Sequence, residues 1–295
     1  MRIARLRTAD GARLALGLDG NELVRLDAVL DDCPTDPVEL LAWPDRDRVT
    51  DQVRAAVADP GTRRRLVDAG AIRGLDDAVL APPVVAPSKV ICLALNYHAH
   101  AAEGGFVPPE RPVLFLKGPN TLCGHGEEVV VPPASRRIDH EGELAVVIGR
   151  RARHLSIQDW PRVVAGYTIM NDLTARDLQL ADIERGHPWD LSKSFDGYGP
   201  TGPWLVSADE VADPQALDLT VTVDGEVRQR ASTGEMIFGV GELLRFLSSV
   251  LTLEPGDVIA TGTPEGIGPV GDGSTVTVTI SGIGELRNRI RFADP

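Results

Sequence analysis

Cysteine is scarce in this sequence: three residues, Cys33, Cys92 and Cys123, none in a CxxC pair. An odd, scattered set argues against both a disulfide framework and a zinc ribbon, and buried thiols are the expectation. Long apolar runs are missing too. No stretch approaches the roughly 20 residues that a membrane-spanning helix needs, so no membrane partner is expected. The opening MRIARLRTADG has arginines but neither an apolar h-region nor a small-residue cleavage site behind them. That reads as no signal peptide and a cytoplasmic location. Basic residues are in deficit, with Lys+Arg 30 against Asp+Glu 43 and a formal charge of -13. Most of such a surface repels a phosphate backbone, which excludes nucleic acid as the expected partner. An anionic small substrate stays open, because a local cation can reverse the field inside one cleft. There is no GxSxG elbow for a serine-triad hydrolase, no low-complexity tract and no strict repeat.

What remains is an ordinary globular composition, 43% hydrophobic and 25% charged over 295 residues, enough for a large domain with a smaller companion. The first thirty residues alternate apolar and polar positions around ADG and LDG turns, as an antiparallel meander would. From Pro37 to about Gly74 the spacing of Leu40, Leu41, Val53, Val57 and Leu66 predicts two or three short amphipathic helices. The proline-rich LAPPVVAPSK cannot continue a helix, and it places a boundary between a small N-terminal α+β domain, 1–80, and a main domain, 81–295. After it come short, β-branched, turn-bounded segments, with only GELLRFLSSV and parts of 98–104 and 174–186 helix-like. The fold class is therefore mostly β with short helices, α+β and mostly antiparallel, not a βαβ repeat.

The stretch IDHEGELAVVIG, 138–149, reads as a buried strand, yet Asp139, Glu141 and Glu143 alternate along one face of it. Neighbouring acids there lie roughly 6 to 7 Å apart. At an effective dielectric of ~20 each neighbouring pair costs about 2 to 3 kcal/mol, which calls for a proton or a cation. Asp139, at the strand's start, is read as facing water. Glu141 and Glu143 run into a fully apolar segment that points to burial on both faces, and there a cation is the better account. Asn171 and Asp172, where another β-like segment meets a turn, add a further acid. An all-oxygen set suits a hard divalent ion, Mg2+ first, then Mn2+ or Ca2+, ahead of zinc.

His100 and Glu103, in NYHAHAAEGG, stand at i, i+3, where two side chains meet on one helical face. A carboxylate that fixes the imidazole tautomer gives a general base near neutral pH, although such pairs are also common on plain surface helices. Gly104, Gly105 and the prolines after them predict a mobile lid. GIGPVG, 266–271, matches a dinucleotide fingerprint in letters only. A strand-like DGSTVTVTI follows it, and no helix N-terminus is there to receive a pyrophosphate.

Six segments in order resemble the fumarylacetoacetate hydrolase family of metal-dependent enzymes acting on 2-oxo and 1,3-dicarbonyl acids. They are KVICLALNYHAHAAE, PVLFLKGP, DHEGELAVVIG, GYTIMNDLTARDLQ, GHPWDLSKSFDGYGPTGPWLV and EPGDVIATGTPEGIG, together covering about Lys89 to Arg291. The resemblance implies a mixed β-sandwich or β-roll catalytic domain and a homodimer. By position it implies Glu141, Glu143 and Asp172 as metal ligands, His100 and Glu103 as the water-activating dyad, and Lys193 as a catalytic lysine that polarises the substrate carbonyl. It implies further that Gln179 contacts substrate oxygens and that the ATGTPEGIG turn, with the amide of Gly262 and the hydroxyl of Thr263, holds a substrate carboxylate. Asn120, where the family commonly has serine, would face the site and bear on substrate identity; Ala94 and His140 are the other departures. His98, His125, His140, His154 and His187 are read as structural.

The implied reaction is hydrolysis of a C–C bond in an acylpyruvate-like or 2,4-dioxo acid, through a metal-bound enolate. Decarboxylation, isomerisation or lysis of a related 2-oxo acid, of the oxaloacetate or 2-hydroxyhepta-2,4-diene-1,7-dioate type, is the first alternative. A catalytically silent metal-binding protein is the second.

Overall fold

The computed structural model describes residues 1–19 and 21–294. Its chain is organised around the strand Gly142–Ile148, every residue of which is buried and which is wholly apolar from Leu144 on. Leu144, Val146 and Ile148 point to one hydrophobic core, while Ala145 and Val147 point to another, so burial on both faces accounts for the continuous apolar run from Leu144 on. Each fully buried large aliphatic of this kind contributes about 1.5 to 3 kcal/mol.

This strand is central in a large sheet. Its neighbours are Val164–Asn171 on one side, antiparallel, and Val258–Ala260 on the other, also antiparallel. Val258–Ala260 continues in parallel to Val90–Ala94, and that strand pairs antiparallel with Val113–Lys117. On the opposite flank Val164–Asn171 pairs with Gly199–Ser207, which pairs with Arg2–Thr8. The meander expected at the N-terminus is present: Arg2–Thr8, Gly11–Leu18 and Glu22–Arg25 are antiparallel neighbours, closed by Ile72–Gly74. The strands before residue 80 thus hydrogen-bond into the same sheet as those after it.

A second sheet, in the order Glu226–Ser232, Asp218–Val223, Thr275–Ile280, Gly284–Phe292 and Val129–Val131, covers the first core. Val221, Val276, Val278 and Leu286 meet Leu144, Val146 and Trp204 there. The other core lies under the helices Pro37–Ala42 and Arg46–Ala58, whose Val38, Leu40, Leu41, Val49 and Val53 pack toward Ala145, Val147 and Val258. Asp36 caps the first of these helices by accepting from the amides of Val38 and Glu39. The helix Val240–Val250 forms where GELLRFLSSV predicts it.

Mostly β architecture with short helices is what the sequence predicts and what the chain adopts. No helix among the described residues is long and apolar enough to cross a membrane. All three cysteines are free; Cys92 and Cys123 are buried as expected, but Cys33 is only partly so.

Candidate metal centre and active site

The acidic face of the 138–149 segment is real, but the segment is two strands, Ile138–His140 and Gly142–Ile148, with Glu141 at the break. A side chain could not replace hydrogen at Gly142: a Cβ there would come within 2.4 Å of Val221 Cγ2 in the second sheet. The close approach of the two sheets explains a glycine between the two glutamates. Gly142 is registered against Asn171, and two hydrogen bonds lock the corner. Asn171 Oδ1 accepts from the Glu141 amide at 3.0 Å, and the Asp172 amide donates to the Glu141 carbonyl at 2.8 Å. Backbone pairing thereby delivers Asp172 to the two glutamates.

Glu141, Glu143 and Asp172 are all buried, and one carboxylate oxygen from each lies within 4.8 Å of the other two. Two lysines balance them. Lys193 Nζ donates to Glu141 Oε2 at 2.7 Å and to Asp172 Oδ2 at 2.6 Å. Lys117 Nζ donates to Asp172 Oδ1 at 2.6 Å and to the Leu173 carbonyl at 3.2 Å. Arg176 Nη2 donates to Glu141 Oε1, and its Nε donates to Asp139 Oδ2 at 2.9 Å.

These partners set the charge states. Burial alone would raise the Glu141 carboxyl, but Lys193 and Arg176 overcome it and hold that group well below the usual carboxylate range. Burial would depress Lys193, yet Asp172 and Glu141 keep its ammonium raised. Glu143 has the opposite balance. Burial, with the negative charges of Asp172 and Glu141 beside it, pushes its carboxyl well above the ordinary value. A buried acid whose ionised form is disfavoured by two acid neighbours is a place where a divalent cation relieves repulsion. Three oxygen donors of this kind fit a hard ion such as Mg2+ or Mn2+.

Asp139 corrects the sequence reading. It does not face water: it is 1% exposed, and Arg137 holds both its oxygens, Nε to Oδ1 at 2.9 Å and Nη2 to Oδ2 at 3.1 Å. With Arg176 it belongs to the same charged cluster.

Asp139, Glu141, Arg176 and Lys193 of this cluster line a cavity of about 620 Å3 whose walls also include His100, Gln179 and Thr263. His100 lies on the short helix His98–Glu103, its Nδ1 3.1 Å from Glu103 Oε2. Glu103 Oε1 accepts from the Gly266 amide at 2.9 Å, so the dyad is tied to the glycine-rich turn across the mouth. After that helix the chain runs exposed through 104–108, with Gly105 at φ +71° and Phe106 reaching back to the cavity.

Gln179 is 7% exposed and accepts from Arg176 Nη1. Thr263 lines the cavity, but its hydroxyl donates to the Gly142 carbonyl at 3.0 Å and accepts from Gln229 Nε2 at 2.8 Å. Gly262 departs from expectation: its amide donates to Glu143 Oε2 at 2.7 Å, so it orients a metal-ligand candidate where a hold on a substrate carboxylate was expected. Its φ of +95° requires glycine, since a Cβ would sit 2.8 Å from that of Asn96. Asn120 departs as well. It is exposed, is not among the cavity walls, and gives its Nδ2 to Asp196 Oδ1 at 2.6 Å and the Ser194 carbonyl at 3.1 Å. GIGPVG passes into the strand Gly268–Val270, as its rejection as a nucleotide loop requires.

Sequence reasoning gave no role to Lys117 and Arg176. Lys117 shares a strand face with Phe115, and a lysine on a buried face is a signal that alternation alone could have raised. Among the histidines read as structural, His125 and His140 are buried.

A family model described as fumarylacetoacetate (FAA) hydrolase C-terminal matches residues 89–291. An uncharacterized protein of Pyrococcus abyssi is 48% identical over 210 residues, 71% of this chain and 93% of that protein. The crystal structure of maleylpyruvate hydrolase from Sphingobium sp. SYK-6, in complex with manganese(II) and pyruvate, superposes with a TM-score of 0.78 at 32% identity, covering 100% of both chains. That of 2-hydroxyhepta-2,4-diene-1,7-dioate isomerase from Mycobacterium marinum gives 0.76 at 32% identity, again over 100% of both.

Proposed function

Because this chain belongs to the fumarylacetoacetate hydrolase family, we propose that it is a divalent-metal-dependent hydrolase cleaving the C–C bond of an acylpyruvate or related 2,4-dioxo acid. The observation that carries hydrolysis is the placement of His100, paired with Glu103, on the wall of the same cavity that Glu141 lines. Likeness to a maleylpyruvate hydrolase in complex with manganese(II) and pyruvate supports both the ion and the 2-oxo acid.

Glu141, Glu143 and Asp172 would hold the ion, which supplies positive charge to polarise the 2-oxo acid end of the substrate. Glu103 accepts at His100 Nδ1 and leaves Nε2 free to take a proton from water. The hydroxide so formed adds to the distal carbonyl. The bond between that carbon and the adjacent methylene then breaks, and the electron pair leaves on the pyruvate half. Lys193 places an ammonium beside Glu141 and Asp172, where it stabilises that developing negative charge.

Likeness to the Mycobacterium marinum isomerase favours a second reading, in which the same residues move a proton and no water is added. Incubation with straight-chain acylpyruvates and Mn2+ separates them. Release of pyruvate plus a carboxylic acid, abolished by EDTA, supports hydrolysis. A spectral change with no acid formed supports isomerisation, and release of CO2 together with pyruvate from oxaloacetate, with acylpyruvates left intact, supports decarboxylation.

A further inference from the structure

The helix Arg176–Glu184 turns a single face to the cavity. Arg176, Gln179, Leu180 and Ile183, at i, i+3, i+4 and i+7, all line it. Along that face the chemistry changes. The first turn carries the two polar residues, both joined to the acid cluster; the later turns carry the two apolar ones. From Arg176 to Ile183 the helix rises roughly 10 Å, so the cavity has a charged end and, a short acyl chain away, a hydrocarbon end. Phe106, Val113 and Ile267 add further apolar wall to the same cavity.

Three of these side chains are left unusually open to water: Leu180 is 53% exposed, Ile183 48% and Phe106 54%. Large apolar groups that converge on one concavity while still wet are what an apolar ligand covers. The cations of the cavity are, in contrast, already committed. Arg137 spends Nε and Nη2 on Asp139, Arg176 is divided among Asp139, Glu141 and Gln179, and Lys193 lies between Glu141 and Asp172. A second carboxylate at the far end of a substrate would lie along Leu180 and Ile183, while each lysine and arginine among the described lining residues, Arg137, Arg176 and Lys193, already holds a carboxylate of the protein.

We infer that the substrate's distal acyl group is an uncharged hydrocarbon chain or ring lying along Leu180 and Ile183 beneath Phe106, and that these positions set the preference for it over a dicarboxylate. This rests on the reading that the charged end takes a 2-oxo acid. The apolar tail gains by leaving water for the cavity wall, and a terminal carboxylate loses its hydration there without a partner.

Binding tests this separately from cleavage. Calorimetric titration of the Mn2+-loaded protein with pyruvate, 2-oxohexanoate and 2-oxooctanoate should show affinity rising at least tenfold across the series. 2-Oxoadipate, which matches 2-oxohexanoate in length but ends in a carboxylate, should bind at least tenfold more weakly than it. Leu180→Arg and Ile183→Arg, both at half-exposed positions that tolerate a charge, should each reverse that last preference. Equal or tighter binding of 2-oxoadipate by the unaltered protein overturns the inference, and points to Arg137 as the reader of a second carboxylate. Loss of the tail dependence overturns it too, as does failure of every 2-oxo acid to bind. Should the binding pattern hold while no acylpyruvate is cleaved, the inference stands and only the hydrolytic reading falls.

Discussion

Lys117 and Asp172 form an ion pair sealed from solvent, Nζ 2.6 Å from Oδ1, with the two side chains 0% and 1% exposed. The pair joins the last residue of the strand Val113–Lys117 to the loop that supplies the third acid, so one contact both neutralises Asp172 and fixes which way its carboxylate turns. Lys117→Met keeps the apolar stem and removes the ammonium. It leaves Asp172 Oδ1 and the Leu173 carbonyl without that donor, and breaking a buried pair from one side costs about 3 kcal/mol. Urea unfolding of the EDTA-treated variant should show that loss. Mn2+ should recover part of it by binding only the folded form. A loss under about 1 kcal/mol would mean that Lys193 alone balances Asp172.

Gly262→Ala tests the backbone hold on Glu143. The φ of +95° and the 2.8 Å approach to Asn96 Cβ leave no room for a methyl group. Asn96 cannot yield easily, because its Nδ2 donates to the Thr261 and Phe238 carbonyls at 2.7 and 3.1 Å. The turn must shift and draw its amide off Glu143 Oε2. Groups that orient a metal ligand from behind typically contribute 10- to 100-fold in affinity. A fall of about tenfold in Mn2+ affinity, with about 1 to 3 kcal/mol of destabilisation, is the expected outcome. Unchanged Mn2+ titration of a folded variant would remove Gly262 from the site.

Much of this arrangement was legible in the sequence, and the reason differs from place to place. The run 144–148 is legible because burial on both faces favours an unbroken apolar segment. His100 and Glu103 were legible because they are three residues apart on one helix. Asp139 is misread because its cations lie outside its own strand: Arg176 is 37 residues on, and Arg137 immediately precedes the strand. Lys117 lies 55 residues from Asp172, and alternation can mark it as buried without naming its partner. Asn120 failed for a local reason. Asp196 captures its amide and turns it away from the cavity, a contact no motif position encodes.

His125 should make the fold acid-sensitive away from the site. Burial, assisted by the nearby Arg287, pushes its imidazole down to about 4 from 6.5. The neutral ring accepts from the Arg287 amide at 3.2 Å through Nδ1. As pH falls below 6.5 the unfolded chain takes up a proton that the folded ring refuses until about 4. Stability from the neutral ring is therefore complete above pH 6.5 and is lost progressively down to pH 4, by about 3 kcal/mol in total. His125→Asn keeps an acceptor near Arg287 and does not titrate there. Urea midpoints measured from pH 7 to 4 should fall more steeply for the unaltered protein. Parallel curves would show that the folded ring takes up its proton as readily as the unfolded one.

Glu103 serves two donors at once, and that decides how its variants should behave. Oε2 faces His100 Nδ1 and Oε1 accepts from the Gly266 amide. Glutamine has one acceptor for these two donors, so Glu103→Gln either releases the turn or turns the imidazole to its other tautomer. If the pair activates water, the tautomer is what matters. Then kcat for acylpyruvate cleavage should fall by about 100-fold or more in Glu103→Gln and further in His100→Ala, within the 10²- to 10⁴-fold range of general-base catalysis. KM and Mn2+ affinity should change little, because neither residue touches the acid triad. A rise in KM with kcat retained would give Glu103 the lesser task of tethering the 98–110 segment to the turn at Gly266, and another group would have to accept the proton from water.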